Sequence, residues 1–131
     1  MSKKVCLIIG GGRGMGAATA RQMHSRDYAL ALMSPTESCE TLATELGGVA
    51  QRGRAESASD LNSVFDLTME KYGRIDSVLI HVVGPPKGDL LDIPEEDWDK
   101  ANDMVLKPVI RMAKLVTPVM EKQGGGSIVN I

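Results

Sequence analysis

The N-terminal segment constrains the fold most strongly, because an apolar run passes directly into a cluster of glycines. Val5 to Ile9 is apolar and partly β-branched, five glycines fall within Gly10 to Gly16, and an alanine-rich stretch follows. This succession predicts a buried strand, a tight turn and the N-terminus of a helix. A helix N-terminus suits a phosphate, and glycines let the backbone approach it closely. The segment therefore predicts a cradle for the pyrophosphate of a dinucleotide.

Two glycine registers compete within this segment. Gly12-x-Gly14-x-x-Ala17 fits the general dinucleotide fingerprint, and Gly10-x-x-x-Gly14-x-Gly16 is the alternative. Because the predicted strand ends at Ile9, the tight turn should begin at once, and we favour the register that starts at Gly10.

Strand patterns alternate with helix patterns along the whole chain. The predicted strands are residues 4–9, 28–33, 49–53, 75–83 and 127–131; the predicted helices are residues 14–25, 34–46, a segment from Ser57 or Ser59 to Gly73, and residues 95–123. Such alternation predicts an α/β fold: a Rossmann-like, doubly wound parallel sheet with helices on both faces, in three layers. We expect one dinucleotide-binding domain over residues 1–131, with the fifth strand cut short. Ligands of such sheets bind at the carboxyl ends of the strands.

Two details of the helices can be predicted from local sequence. Ser34, Pro35 and Glu37 form a capping-box pattern, so we expect Ser34 to cap the second helix. Pro108 and Pro118 should kink or break the long helix.

Composition narrows the classes of function. The net charge is −2 and only four residues are aromatic, which argues against a nucleic-acid partner. Two cysteines in elements of different type predict no disulfide scaffold, and His24 and His81 share no metal-ligand spacing. The first apolar run is too short to span a membrane. We expect a cytoplasmic protein with a small-molecule ligand.

Several motifs together resemble the short-chain dehydrogenase/reductase family over essentially all of the chain. They are Ile9–Gly16, Gly73–Asp76, Trp98, Pro118–Met120 and Gly125–Ile131. The resemblance implies an NAD(P)-dependent oxidoreductase that moves hydride between a nicotinamide cofactor and a carbonyl or alcohol. It also implies a homodimer or homotetramer in which the long helix joins a subunit interface. The residues that it assigns to the cofactor are Gly10, Gly12, Gly14, Met15 and Gly16 at the pyrophosphate, Arg13 and Ser34 at the adenosine ribose, and Gly84 near strand four.

The chain departs from the family pattern at several cofactor positions. His81-Val82-Val83-Gly84 stands where the family has Asn-Asn-Ala-Gly, and Ile9 replaces a threonine. Arg54 aligns with an acidic residue beside the adenine, and Val105 aligns with the Asn of a proton relay. For His81 two roles stay open: a donor at the nucleotide rim, or a cap of the strand.

The catalytic residues of the family are absent from these 131 residues. The family uses a Ser and a Tyr-x-x-x-Lys beyond the fifth strand, whereas Tyr28 and Tyr72 are followed four residues later by Leu32 and Asp76. No catalytic residue is therefore assigned, and the acid–base group is expected past Ile131. A chain that ends within a central strand leaves backbone groups unpaired. We expect a fragment of a longer enzyme, with a natural short form as the alternative.

The second strand informs the choice of dinucleotide. An acidic residue at its end would bind the 2′-hydroxyl of NAD, but the strand ends at Met33-Ser34. By resemblance, Arg13 in the glycine turn favours the 2′-phosphate of NADP, with Ser34 and Thr36 as added donors; a solvated turn residue is the alternative for Arg13. We predict NADP, with NAD as the alternative.

Three functions are compatible with these patterns. The first is the oxidoreductase; the second is a catalytically silent dinucleotide-binding or scaffold protein, for which Val105 and the missing Tyr-x-x-x-Lys argue. A nucleotide sensor is the third.

Overall fold

The computed structural model of this chain describes residues 2–131. The strands are β1 (Val5–Ile9), β2 (Ala29–Ser34), β3 (Val49–Arg52), β4 (Ser77–Ile80) and β5 (Ser127–Asn130). The helices are α1 (Gly14–Ser25), α2 (Ser38–Leu46), α3 (Ala58–Tyr72), α4 (Glu95–Ala101) and α5 (Lys107–Gln123), with a π-helical segment, Asn102–Leu106, joining the last two. The predicted alternation of strands and helices is confirmed.

All five strands are parallel, in the order β3-β2-β1-β4-β5. The chain builds outward from β1 to β3 and then crosses to the other side of β1. The loops after β1 and β4 therefore diverge at the boundary between these two strands, which is where α/β sheets bind ligands. This arrangement confirms the doubly wound, Rossmann-like sheet.

Apolar side chains of β1 are buried on both faces of the sheet, so that helices are needed on each side. Leu7 and Ile9 belong to the core beneath α3 and α5, whereas Cys6 and Ile8 belong to the core beneath α1 and α2. Cys6 and Cys39 are free, buried thiols, and burial raises the pKa of Cys6 to about 12. The three-layer architecture is thereby confirmed.

The predicted capping box at Ser34 is wrong. Ser34 is the last residue of β2, and α2 begins only at Ser38, with Glu37 at its N-cap and no side-chain capping bond. Ser34 stays extended because β2 pairs with β3 at Ser34 and Arg52, and because its carbonyl accepts a hydrogen bond from Gly53 N at 2.9 Å. Sheet pairing therefore overrides the local helix-start signal. At α3, Ser57 is the cap, and it accepts from Asp60 N.

The long predicted helix is interrupted directly before Pro108, as expected, but it is not broken at Pro118. Pro108 lies in the first turn of α5, and Pro118 lies inside α5. The irregularity is the π-helical segment directly before Lys107 and Pro108. Proline has no N–H to donate to the preceding turn, so the hydrogen-bond pattern is expected to change just before it. The predicted fourth strand is also too long, since β4 is limited to Ser77–Ile80.

Candidate functional site

The turn after β1 is held tightly between β2, β4 and α1. Gly10 N and Gly11 N both donate to Met33 O, at 2.8 and 3.0 Å. Gly10 has φ of +86°, and a methyl group on it would overlap the carbonyl oxygen of His81. A methyl group on Gly16 would overlap the carbonyl oxygen of Gly10. The packing of the turn itself thus requires glycine at both positions.

The N-terminus of α1 opens at this turn without a side-chain cap. Arg13 is the N-cap residue, its backbone is extended, and its side chain makes no capping hydrogen bond. The first turn contains no acidic residue. Gly14 has φ of +55° with open space around it, and the Met15 side chain is exposed. The dipole and the first N–H groups of α1 are therefore free to meet an anion.

A cluster of hydroxyl groups faces this helix from the end of β2. Ser34 Oγ donates to Thr36 O at 3.0 Å, and Ser38 Oγ lies 2.8 Å from Thr36 Oγ1 and 3.3 Å from Ser34 Oγ. A methyl group on Gly12 would overlap Ser38 Oγ, so the cluster rests directly on the glycine turn. Ser38 was not identified from the sequence, because it was placed inside the second helix. Its signal was the alternating hydroxyl pattern Ser34, Thr36, Ser38.

Two neighbouring cavities lie along this edge of the sheet. Both are bounded by Gly10, Ser34, Pro35, His81, Val82 and Val83. The cavity of about 270 Å³ extends over Gly12, Arg13, Gly14 and the hydroxyl cluster. The cavity of about 210 Å³ extends towards Arg54 and Met104. Seven of the ten predicted site residues, from four different loops, thus line the cavities at one edge of the sheet: Gly10, Gly12, Arg13, Gly14, Ser34, Arg54 and His81.

Arg54 lies on the rim of the smaller cavity in a fixed loop. Its backbone N donates to Asp60 Oδ2 at 2.9 Å, and its guanidinium is 3.6 Å from the Glu56 carboxylate. Asp60 also completes the α3 cap through its own N–H to Ser57 Oγ. Sequence reasoning missed Asp60, whose role as a loop anchor depends on a contact six residues away.

His81 and Gly84 differ in their relation to the cavities. His81 is half-buried and lines both cavities. Its backbone N donates to Ile9 O at 2.9 Å, so the backbone extends the β1–β4 pairing. Gly84 lines neither cavity, and a methyl group on it would meet no atom within 4 Å. The structure brings His81 to the site but gives no close approach at Gly84.

The two tyrosines lie at the opposite end of the sheet. Tyr72 OH donates to Leu30 O at 3.1 Å, near the start of β2, and burial raises the pKa of Tyr72. Tyr28 directly precedes β2. Both phenols therefore lie far from the glycine turn, and neither of these two tyrosines serves the cavities as an acid.

Two further features are absent from residues 2–131. No group of three or more His, Cys, Asp or Glu side chains is placed there to hold a metal ion. Over the same part of the chain, no helix is long and apolar enough to cross a membrane.

Known proteins with similar sequences are dehydrogenases and reductases. The family model for short chain dehydrogenases matches residues 4–131. A dehydrogenase/reductase SDR family member 4 of Caenorhabditis elegans is 29% identical over 96% of this chain and 52% of its own length. The 3-oxoacyl-[acyl-carrier-protein] reductase FabG of Thermotoga maritima is 33% identical over 98% of this chain and 54% of its own length.

A solved structure shares the fold at lower identity. YwfH, an NADPH-dependent reductase involved in bacilysin biosynthesis, superposes with a TM-score of 0.91 at 18% identity, covering 98% of this chain and 54% of that chain. The chain spans about half the length of the curated relatives that it matches.

Proposed function

The chain belongs to the short-chain dehydrogenase family, and on that premise we propose that it is the dinucleotide-binding part of an NAD(P)-dependent oxidoreductase. Such an enzyme moves hydride between the nicotinamide and a carbonyl or alcohol substrate. The observation that carries the proposal is the N-terminus of α1, which has no side-chain cap and no acid in its first turn. It opens between β1 and β4, where the strand order reverses.

The glycine turn fits a pyrophosphate. The uncapped first turn of α1 begins with Gly14 and Met15, and Gly12 lies just before it. Close packing at Gly10 and Gly16 holds the turn in place. A phosphate here would accept hydrogen bonds from the free N–H groups of the first turn of α1 and would complement the positive end of its dipole.

We infer NADP rather than NAD from the end of β2. The residues there are Ser34, Thr36 and Ser38, with Arg13 across the same cavity and no carboxylate on its walls. A 2′-phosphate needs donors and a cation, whereas a 2′-hydroxyl is held by an acid. Ser34 is buried and shapes the cluster, while Ser38 and Thr36 lie nearer the surface.

The smaller cavity fits the adenine. Val82, Val83 and Met104 give it apolar walls. Arg54, which aligns with an acidic residue of the family, stands on its rim beside Glu56. A guanidinium stacks favourably on an aromatic ring, so Arg54 would cover one face of the base. The His81 side chain would contact the nucleotide between the two cavities.

The bound nicotinamide supplies the hydride, and the protein orients it and provides a proton. The residues described here bind the adenosine and pyrophosphate parts. By family resemblance, the acid–base group is a Ser with a Tyr-x-x-x-Lys past Ile131. The substrate is proposed to be a small carbonyl or alcohol compound in the cytoplasm.

The alternative is a dinucleotide-binding protein without catalysis. The observation that favours it is Val105, which is 40% exposed and offers no side-chain hydrogen bond where the family has a proton-relay Asn. In this alternative the protein binds the dinucleotide at the same site but does not catalyse hydride transfer.

Calorimetric titration with NADP⁺ and NAD⁺ tests the proposed site. We expect tighter binding of NADP⁺, and Arg13→Ala should weaken it about tenfold through loss of a charge-assisted hydrogen bond while changing NAD⁺ binding little. Arg26→Ala, at the other end of α1, is the matched control. Tighter binding of NAD⁺, or an equal loss for both dinucleotides, would contradict the NADP assignment.

Turnover separates the enzyme from the silent protein. The protein expressed from its complete reading frame is screened for NADPH oxidation with ketones and acyl thioesters. Turnover supports the oxidoreductase, whereas NADP⁺ binding without turnover across the screen supports the silent alternative.

A further inference from the structure

The loop between β3 and α3 contributes more residues to the smaller cavity than any other segment does. Gly53, Arg54, Ala55 and Glu56 follow one another along the wall of that cavity, and Ser57 then caps α3. The shape of the proposed adenine pocket therefore depends on where this β3–α3 loop, residues 53–57, is held.

The two ends of the β3–α3 loop are fixed by β2 and by the start of α3. Gly53 N donates to Ser34 O at 2.9 Å, and Arg54 N donates to Asp60 Oδ2 at 2.9 Å. Ser57 N donates to Arg54 O at 3.0 Å. None of these bonds involves the carbonyl group between Arg54 and Ser57 that belongs to Glu56, so that group needs a partner from elsewhere.

The partner is Arg111, which lies 55 residues further along the chain, on α5. Arg111 Nη1 donates to Glu56 O at 3.1 Å. Over residues 2–131, Arg111 is the one residue beyond α3 whose side chain hydrogen-bonds the β3–α3 loop. Arg111 lines neither cavity at the carboxyl edge of the sheet but a cleft between α3 and α5, with Asn62 and Lys114. Its contact with the smaller cavity is therefore indirect, through the loop.

α5 gives Arg111 a firm base. Met112 and Val116 of α5 are buried in the same core as Leu61 and Val64 of α3. Because the two helices pack through one dense core, the point from which Arg111 extends is fixed relative to α3 and to the loop before it.

Glu56 carries the constraint on to Arg54. Its carboxylate is 3.6 Å from the Arg54 guanidinium, while its carbonyl accepts from Arg111. The Arg54 side chain is 68% exposed, and an arginine without a partner samples many rotamers. Holding Glu56 therefore limits where the guanidinium that we assign to the adenine can lie.

We propose that Arg111 is a positioning residue for the dinucleotide. By holding Glu56 O, it keeps the β3–α3 loop and Arg54 in place for the adenine, and it raises affinity without touching the ligand. A loop that is ordered before binding need not be ordered by the ligand, so less binding free energy is lost. The inference rests on the proposed dinucleotide site.

The role of Arg111 differs from that proposed for Arg13. The adenine is common to NADP⁺ and NAD⁺, whereas the 2′-phosphate is present only in NADP⁺. Loss of Arg111 should therefore weaken the two dinucleotides alike, and loss of Arg13 should weaken NADP⁺ alone.

Calorimetric titration of Arg111→Ala, in the protein expressed from its complete reading frame, tests this role. We expect the affinities for NADP⁺, NAD⁺ and AMP each to fall about fivefold, with the ratio between NADP⁺ and NAD⁺ unchanged. Arg111→Lys keeps a cationic donor and should recover part of the loss. Lys114→Ala is the matched control, because it removes a charge from the same cleft and no hydrogen bond joins Lys114 to the loop within the described residues. It should bind all three ligands as the wild type does.

Two further readouts separate positioning from a general loss of structure. Hydrogen exchange of ligand-free Arg111→Ala should be faster at the amides of Ala55 and Glu56, with exchange along α5 unchanged. In a double-mutant cycle, Arg54→Ala should remove most of the effect of Arg111→Ala on AMP binding, because both residues act on the same contact.

The failure of this inference and the failure of the proposed function give different results. If the wild type binds neither the dinucleotides nor AMP, the proposed function is wrong, and this inference with it. If the wild type binds them and Arg111→Ala binds them equally well, only the role of Arg111 is overturned. That role is also overturned if affinity falls while the loop amides exchange as before, or if Lys114→Ala lowers affinity as much, since Arg111 would then act through its charge.

Discussion

The two ends of the parallel sheet use their polar groups differently. At the amino end, Asp76 accepts hydrogen bonds from Val5 N at 2.8 Å and from two nitrogens of Arg74 at 2.8 and 2.6 Å. Gln123 holds both the N–H and the carbonyl of Ile75 with its amide group. At the carboxyl end, hydroxyl groups bond mainly to one another, and α1 begins without a cap.

The difference indicates that the amino end of the sheet stabilises the fold and that the carboxyl end binds a ligand. Groups that the chain pairs with itself contribute to stability, because leaving them unpaired in the folded state would be costly. Donors that stay free at a sheet's carboxyl end are available to a ligand. Mutations at the amino end are thus expected to lower the free energy of unfolding. Mutations in the hydroxyl cluster are expected to lower the affinity for the dinucleotide.

The glycine turn is the exception to this division, and it gives the largest expected effect. Gly10→Ala places a methyl group against His81 O at a φ of +86°, so we expect a loss of about 3 kcal/mol or more of unfolding free energy. Gly47→Ala has a similar φ, +71°, but no atom within 4 Å, and should cost about 1 kcal/mol. Urea denaturation of both variants separates the cost of the steric overlap with His81 from the cost of backbone strain. Equal losses of unfolding free energy in the two variants would refute the packing role of Gly10.

The second prediction tests the amino end. Asp76→Asn removes a carboxylate that accepts three hydrogen bonds, and we expect a loss of about 2 kcal/mol at neutral pH. Asp66→Asn, an exposed acid on α3, should change unfolding free energy by less than about 0.5 kcal/mol. If both variants are equally mild, the amino end does not stabilise the sheet as argued.

The pH dependence of that loss sharpens the test. The hydrogen bonds from Arg74, and then from Val5 N–H, hold the pKa of Asp76 below its usual value. The folded pKa is lower than the unfolded one, so the stabilisation is present above the unfolded value of about 3.9 and is lost as pH falls through the folded pKa. The stability gap between wild type and Asp76→Asn should therefore be constant near neutral pH and close in acid. A gap that persists at the lowest pH would assign the loss to another cause.

Features that depend on neighbouring residues could be predicted from the sequence, and features that depend on contacts elsewhere in the chain could not. The boundaries of α1 and the turn at Gly10 follow from local signals, an apolar run, glycines and alanines, and they were predicted correctly. The capping box at Ser34 failed because pairing with β3 keeps that residue extended. Ser38 was missed because its contact with Gly12 joins residues that are distant in the sequence, and Asp60 was missed because its bond to Arg54 N bridges an irregular loop that has no periodic pattern.

Ser38→Ala gives the smallest expected stability change and tests the comparison most directly. The Ser38 hydroxyl bonds only to other hydroxyls, Thr36 Oγ1 and Ser34 Oγ, and the residue is partly exposed. Removing it should change the free energy of unfolding by less than about 0.5 kcal/mol, because water replaces it as a partner. NADP⁺ affinity should nevertheless fall several-fold, with Thr44→Ala on the same helix as a control that alters neither. If Ser38→Ala instead destabilised the protein as much as Asp76→Asn, the hydroxyl cluster would be a structural element, and the contrast between the two ends of the sheet would fail.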